Sequence, residues 1–127
     1  MEIFIAKRML KEYNKNDKRI IKESELLMMI VIKVNEVPNS KEGLRDRVRR
    51  AWRISQDRLY NQEELMAVYK GEILEVYKVL SYGKDQIEEN RVAFELEEIP
   101  SDLKGKRIEY KTANPCTIVD VQNLKFL

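Results

Sequence analysis

Seven basic residues fall between Lys41 and Arg58, KEGLRDRVRRAWRISQDR, against three acidic ones. The same stretch holds the chain's only tryptophan, Trp52. Arginine forks grip phosphate through paired N–H donors, and an aromatic ring beside them can stack on a base. Arg45, Arg49 and Arg53 recur every four residues, with Arg47, Arg50 and Arg58 on adjoining faces. Tyr69, Tyr77 and Tyr82 add flat surfaces further on, and Asn114 adds an amide. The candidate nucleic-acid-binding set is therefore Arg45, Arg49, Arg50, Trp52, Arg53, Tyr69 and Asn114. Each has an ordinary alternative: a solvated helix face, a core tryptophan, half-buried tyrosines and an Asn114-Pro115 turn.

Other chemistry is narrowly bounded. The chain has no histidine and one cysteine, Cys116. Ser-His-Asp and Cys-His catalysis are excluded, as are histidine-ligated and cysteine-only zinc sites. Glu109-Tyr110-Lys111 is an E-x-K triplet of the kind metal-dependent nucleases place on a strand, with Asp102 upstream as its partner carboxylate. Such a triplet arises by chance in a chain this charged. Lys70 and Lys78 are expected as surface partners of Glu72 and Glu75, and Cys116 as a small buried residue. No catalytic residue, metal ligand or cofactor is assigned.

The local excess of +4 in Lys41–Arg58 contrasts with 24 basic and 22 acidic residues overall. At 127 residues one domain is expected, with 1–25 as an N-terminal extension and 26–121 as the core. The longest apolar run, Leu26–Ile32, is too short to span a bilayer, and no signal-peptide pattern opens the chain. A membrane association is not expected, and a single cysteine suits a reducing cytoplasm.

What could position the candidate residues? Ser40 is a cap, and Leu44, Val48, Ala51 and Ser55 share one helical face, so the spacing predicts a helix over Lys41–Arg58. Upstream, LLMMIVIKV (Leu26–Val34) is apolar on both faces, which predicts a central strand covered on each side. Downstream, Leu65–Lys70 and Glu72–Val79 flank a turn at Lys70-Gly71 and predict a hairpin. Ser81–Asn90 reads as a polar loop, and Arg91–Glu97 alternates cleanly, with Val92, Phe94 and Leu96 on one face. Arg107–Lys111 and Thr117–Val121 are shorter strands, after which Leu124, Phe126 and Leu127 tuck against the core. Before all of these, Met1–Ile5 reads as an edge strand and Met9, Leu10 and Tyr13 as a helical turn. The fold class is α+β: a small mixed or antiparallel β-barrel with one main helix after the first core strand, closed to remove its edges.

Several phrases carry a resemblance: Ala51-Trp52-Arg53-Ile54-Ser55, Ala67-Val68-Tyr69-Lys70-Gly71-Glu72-Ile73, Val76-Tyr77-Lys78-Val79 and Asn114-Pro115. With this element order, the segment Leu26–Val121 resembles the PUA-like barrels. It is similar to a module that accompanies GIY-YIG-type endonucleases. No GIY…YIG pair occurs here, so the nuclease half has no counterpart. PUA-like domains, including the ASCH and EVE groups, commonly bind RNA, modified DNA bases or nucleotides. The resemblance thus implies a non-enzymatic module for nucleic acid or a nucleotide. Mixed charge, including the acidic stretch Glu88–Asp102, supports the alternative of a protein-interaction or inhibitor module with a protein partner.

Overall fold

The structure is a computed structural model and describes residues 28–110 and 113–127. The sequence readings at Met1–Ile5, Met9–Tyr13 and Lys111, and the extension 1–25, lie outside these residues. The described chain is an α+β unit built on a five-stranded mixed sheet with one α-helix. Its strands are β1 (Met28–Lys33), β2 (Glu64–Tyr69), β3 (Glu72–Lys84), β4 (Val92–Glu98) and β6 (Cys116–Asp120), in spatial order β4-β3-β2-β1-β6. Strands β5 (Ile108–Glu109) and β7 (Lys125–Phe126) make a separate two-stranded ladder.

Strand β1 lies inside the sheet, between β2 and the edge strand β6, and its continuous apolar run is covered on both faces. It pairs in parallel with β2 and antiparallel with β6. A parallel pair needs a crossover, and α1 (Lys41–Val48) is part of that connection. Successive β1 side chains then enter opposite cores. Ile30 and Ile32 join Leu44, Val48, Trp52, Tyr77 and Phe94 on the helix side. Met29 and Val31 join Met66, Val68, Ile73 and Ile108 on the other side.

The β2–β3 hairpin turns at Lys70-Gly71, whose φ values of 47° and 86° are the left-handed pair that a two-residue type I′ loop needs. Beyond it, the start of β3 is covered by the segment leading into β5. The Ile73 N–H donates to the Lys106 carbonyl and the Ile108 N–H to that of Gly71. Glu75, expected at the surface, is buried there and meets the Lys104 ammonium at 2.9 Å. Lys70 instead stands over the Tyr69 ring.

Two expectations are corrected and one, the closed barrel, is not met among the described residues. Helix α1 stops at Val48 rather than Arg58. The Trp52 N–H, which would have continued it by donating to the Val48 carbonyl, donates to Val92 on the edge of β4. The indole Nε1 of the same residue takes over that carbonyl at 2.6 Å. Ala51 makes the break with φ 71°, so tertiary pairing overrides a segment whose local propensity favours helix. Secondly, no closed barrel is found among the described residues: β4 and β6 end the sheet. Segment 49–52 covers part of the β4 edge, with the Phe94 N–H donating to the Arg49 carbonyl. Thirdly, Phe126 and Leu127 are exposed, and of the C-terminal trio only Leu124 packs on the core.

Candidate nucleotide-binding cleft

Strand β3 runs four residues beyond Leu80, through what the sequence presents as a polar loop. Its end pairs with β4 in the register Ser81↔Glu95, Tyr82↔Phe94, Gly83↔Ala93 and Lys84↔Val92. Side chains alternate across a sheet, so Tyr82 and Lys84 share the helix-side face with Phe94 and Val92. Ser81, Gly83, Ala93 and Glu95 share the opposite face.

Here lies a cleft of about 450 Å³ bordered by Arg49, Arg50, Ser81–Ile87 and Ala93–Glu95. Its floor is nearly bare: a Cβ added at Gly83 would meet no atom within 4 Å. One wall is the segment after α1, and the other is the bend Asp85–Ile87.

A fixed ion pair joins these walls. Asp85 is 3% exposed and accepts two hydrogen bonds from Arg50, at 3.1 Å from Nε and 2.6 Å from Nη2. It also accepts the backbone N–H groups of Ile87 and Glu88, at 3.1 and 2.8 Å. The Arg50 hydrogen bonds, then that from Glu88, hold the Asp85 carboxyl down to about 2, well below its ordinary 3.8. Bidentate geometry holds the guanidinium plane in one orientation. Arg49, next to it, is paired among the described residues with exposed Asp46 at 3.1 Å, a contact worth little in water and readily exchanged.

A second cleft of about 410 Å³ adjoins, with Lys84 in both linings and Ser55, Gln56, Asn90 and Arg91 around it. Arg91 donates from Nη1 to the Ala51 carbonyl, tying β4 to the segment after the helix.

The sequence candidates separate. Arg49 and Arg50 reach the cleft together. Trp52 is 6% exposed in the helix-side core, its ring beneath the Arg47 guanidinium at 5.1 Å. Arg45, on α1, and exposed Arg53 border neither cleft. Tyr69 pairs with Glu72 at the far end of the 13-residue β3, roughly 40 Å from Lys84 at about 3.3 Å per residue. Asn114 precedes β6, where its side-chain oxygen accepts the Cys116 N–H at 3.3 Å. That places it near the same far end, because Cys116 pairs with Ile32 while neighbouring Lys33 pairs with Val68.

Sequence reasoning missed Gly83, Asp85 and Glu95. The available signal was Tyr82-Gly83-Lys84-Asp85, in which a β-prone tyrosine stands three residues before an acidic turn former. Among the described residues no group of three Asp, Glu or Cys side chains converges as a metal site. No helix among them is long and apolar enough to cross a membrane. No family model, curated protein or solved structure matches this chain.

Proposed function

We propose that this chain is a non-enzymatic binding module for nucleic acid or a nucleotide, and that the β3–β4 cleft is its binding site. One observation carries the proposal: a planar guanidinium pinned by Asp85, a second arginine beside it, and a floor without bulk at Gly83. Such a cleft suits a flat ligand with attached phosphate. Its volume of about 450 Å³ also lies within the span of small-ligand sites, about 300–1,000 Å³. Arg49 meets phosphate, because its Asp46 partner is solvent-exposed and easily replaced. Arg50 offers its face to a base, since a fixed guanidinium stacks on aromatic rings. The likeness of the sequence phrases to PUA-like barrels points to the same ligand class, and a lone buried Cys116 suits a cytoplasmic protein.

Binding of labelled RNA, single-stranded DNA, duplex DNA and free nucleotides at two salt concentrations tests this. Arg49→Ala is expected to weaken binding and lower the slope of log affinity on log salt by about one. Unchanged binding and slope in that variant would remove the assignment. A second class of partner is favoured by exposed Leu80 and by Ile87 at 76% exposure, close to the acidic face of β4. If no nucleic acid or nucleotide binds, a protein partner at this edge becomes the better account.

A further inference from the structure

We infer that the cleft accepts one unpaired base of a single strand, and that it favours cytosine and adenine, which carry an amino group where uracil, thymine and guanine carry an oxygen. This rests on the nucleic-acid proposal above and specifies its ligand. The first ground is shape. Reading a duplex requires an element that protrudes into a groove, usually a helix or a two-stranded ribbon. Here Arg49 and Arg50 border a concavity, and the one α-helix of the described chain has eight residues and lies packed on the sheet. A concave wall meets bases only when they are splayed out of a helix, as in single strands and loops.

The second ground is the floor. Gly83 and Ala93 pair across β3 and β4, with open space above Gly83. A flat ring can lie there against backbone and the Arg50 plane.

The third ground is charge. Two carboxylates border the cleft, Asp85 and Glu95. Asp85 is consumed by Arg50 and two backbone N–H groups. Glu95 is exposed and shares the floor face, and its side chain makes no ion pair or hydrogen bond to another described residue. A free carboxylate accepts from an amine and repels a carbonyl oxygen. It therefore selects cytosine or adenine, whose amino groups donate, over uracil or thymine, which present an oxygen in that place.

The test uses fluorescence anisotropy with labelled ten-nucleotide oligo(C), oligo(A) and oligo(U), their deoxy counterparts, a duplex of equal length, and unlabelled CMP as competitor. The C and A strands are expected to bind at least about tenfold more tightly than U, T or duplex, the discrimination that one well-placed hydrogen bond to a base supplies. Ribose and deoxyribose arms show which backbone is preferred, and a preference for amino bases in either supports the inference. Gly83→Val should abolish the preference while leaving the melting temperature unchanged, since the added methyls enter open space. Glu95→Gln, at an exposed position, should narrow the C-over-U ratio by raising U binding, and it remains informative if the valine variant fails to fold. CMP should compete only at far higher concentration than the oligonucleotide.

Equal binding of U and C, or tightest binding of duplex, overturns the inference. So does CMP competing as well as the strand, or wild-type discrimination in both variants. In each case, if Arg49→Ala still weakens binding, the nucleic-acid proposal stands and only the base assignment falls. No binding by the wild-type chain overturns both.

Discussion

Trp52 provides the sharpest check on how the site is built, because the sequence offers it two roles, a base-stacking ring or a core tryptophan, and the structure gives it the second. If it stacked on a base, its removal would cost affinity and little stability. In the structure its ring lies in the helix-side core and its Nε1 serves the last helical carbonyl at 2.6 Å. A tryptophan buries about 150–250 Å², which at about 25 cal/mol per Å² is a gross 4–6 kcal/mol. Trp52→Ala should therefore cost about 3–5 kcal/mol, a large share of the roughly 5–15 kcal/mol that holds a domain folded. Trp52→Phe keeps much of the ring but leaves the Val48 carbonyl without its indole donor. Its loss should be smaller, about 1–3 kcal/mol. Urea unfolding followed by circular dichroism measures both. In the wild type the sole tryptophan reports directly: its emission should resist iodide quenching and change little when oligonucleotide is added. A loss below about 1 kcal/mol for Trp52→Ala would refute the core assignment. So would ready quenching by iodide, or abolished binding in a fully stable Trp52→Phe.

Three further outcomes follow from the same geometry. Ala51→Gly should stabilise the fold by up to about 1 kcal/mol in urea unfolding. Relief of a left-handed φ, about 1–2 kcal/mol, exceeds the entropy cost of glycine, about 0.5–1 kcal/mol. A helix continuing through Ala51 would give the reverse sign, a loss of about 1 kcal/mol. For Asp85 the folded-state pKa lies below the unfolded value. Its contribution is therefore present above pH 3.8 and is lost as pH falls toward about 2. Acid titration of stability should show this limb, and Arg50→Ala should flatten it. Burial raises the Cys116 thiol from 9.0 to about 12, and burial likewise raises Tyr110 from 10.0 to about 12. Their folded pKa values lie above the unfolded ones, so stability is whole below about pH 9 and declines as pH rises toward 12. Iodoacetamide should label Cys116 slowly in buffer and rapidly in urea; fast labelling of the folded protein would contradict its burial.

Much of the framework was legible because it depends on local pattern. The apolar run around Met28–Lys33 could be satisfied only between two cores, and β1 is covered on both faces. Lys70-Gly71 supplied a turn chemistry that few other residue pairs permit. The alternation of Val92, Phe94 and Leu96 announced a one-sided strand, and all three are buried. Ser40 announced the helix start, where its hydroxyl accepts the Gly43 N–H at 3.0 Å.

The end of that helix was not legible, since nothing from Ala51 to Arg58 breaks a helix locally. It ends because the edge of β4, some forty residues later in the chain, offers Trp52 a hydrogen-bonding partner at Val92. The stripe Arg45–Arg49–Arg53 disappears with that break, and only Arg49 of the three borders the cleft. Arg50 and Asp85 are 35 positions apart, so their pairing depends on β3 and β4 bringing the Asp85 turn beside the segment after α1. Composition and periodicity determined most of the apolar core and where strands begin, because those follow from short-range sterics and hydrophobicity; the burial of Glu75 and the exposure of Phe126 and Leu127 did not follow from them. Which charges meet, and which floor is left bare for a ligand, was decided by the tertiary structure. Those properties belong to pairs of segments distant in sequence, and no local spacing encodes them.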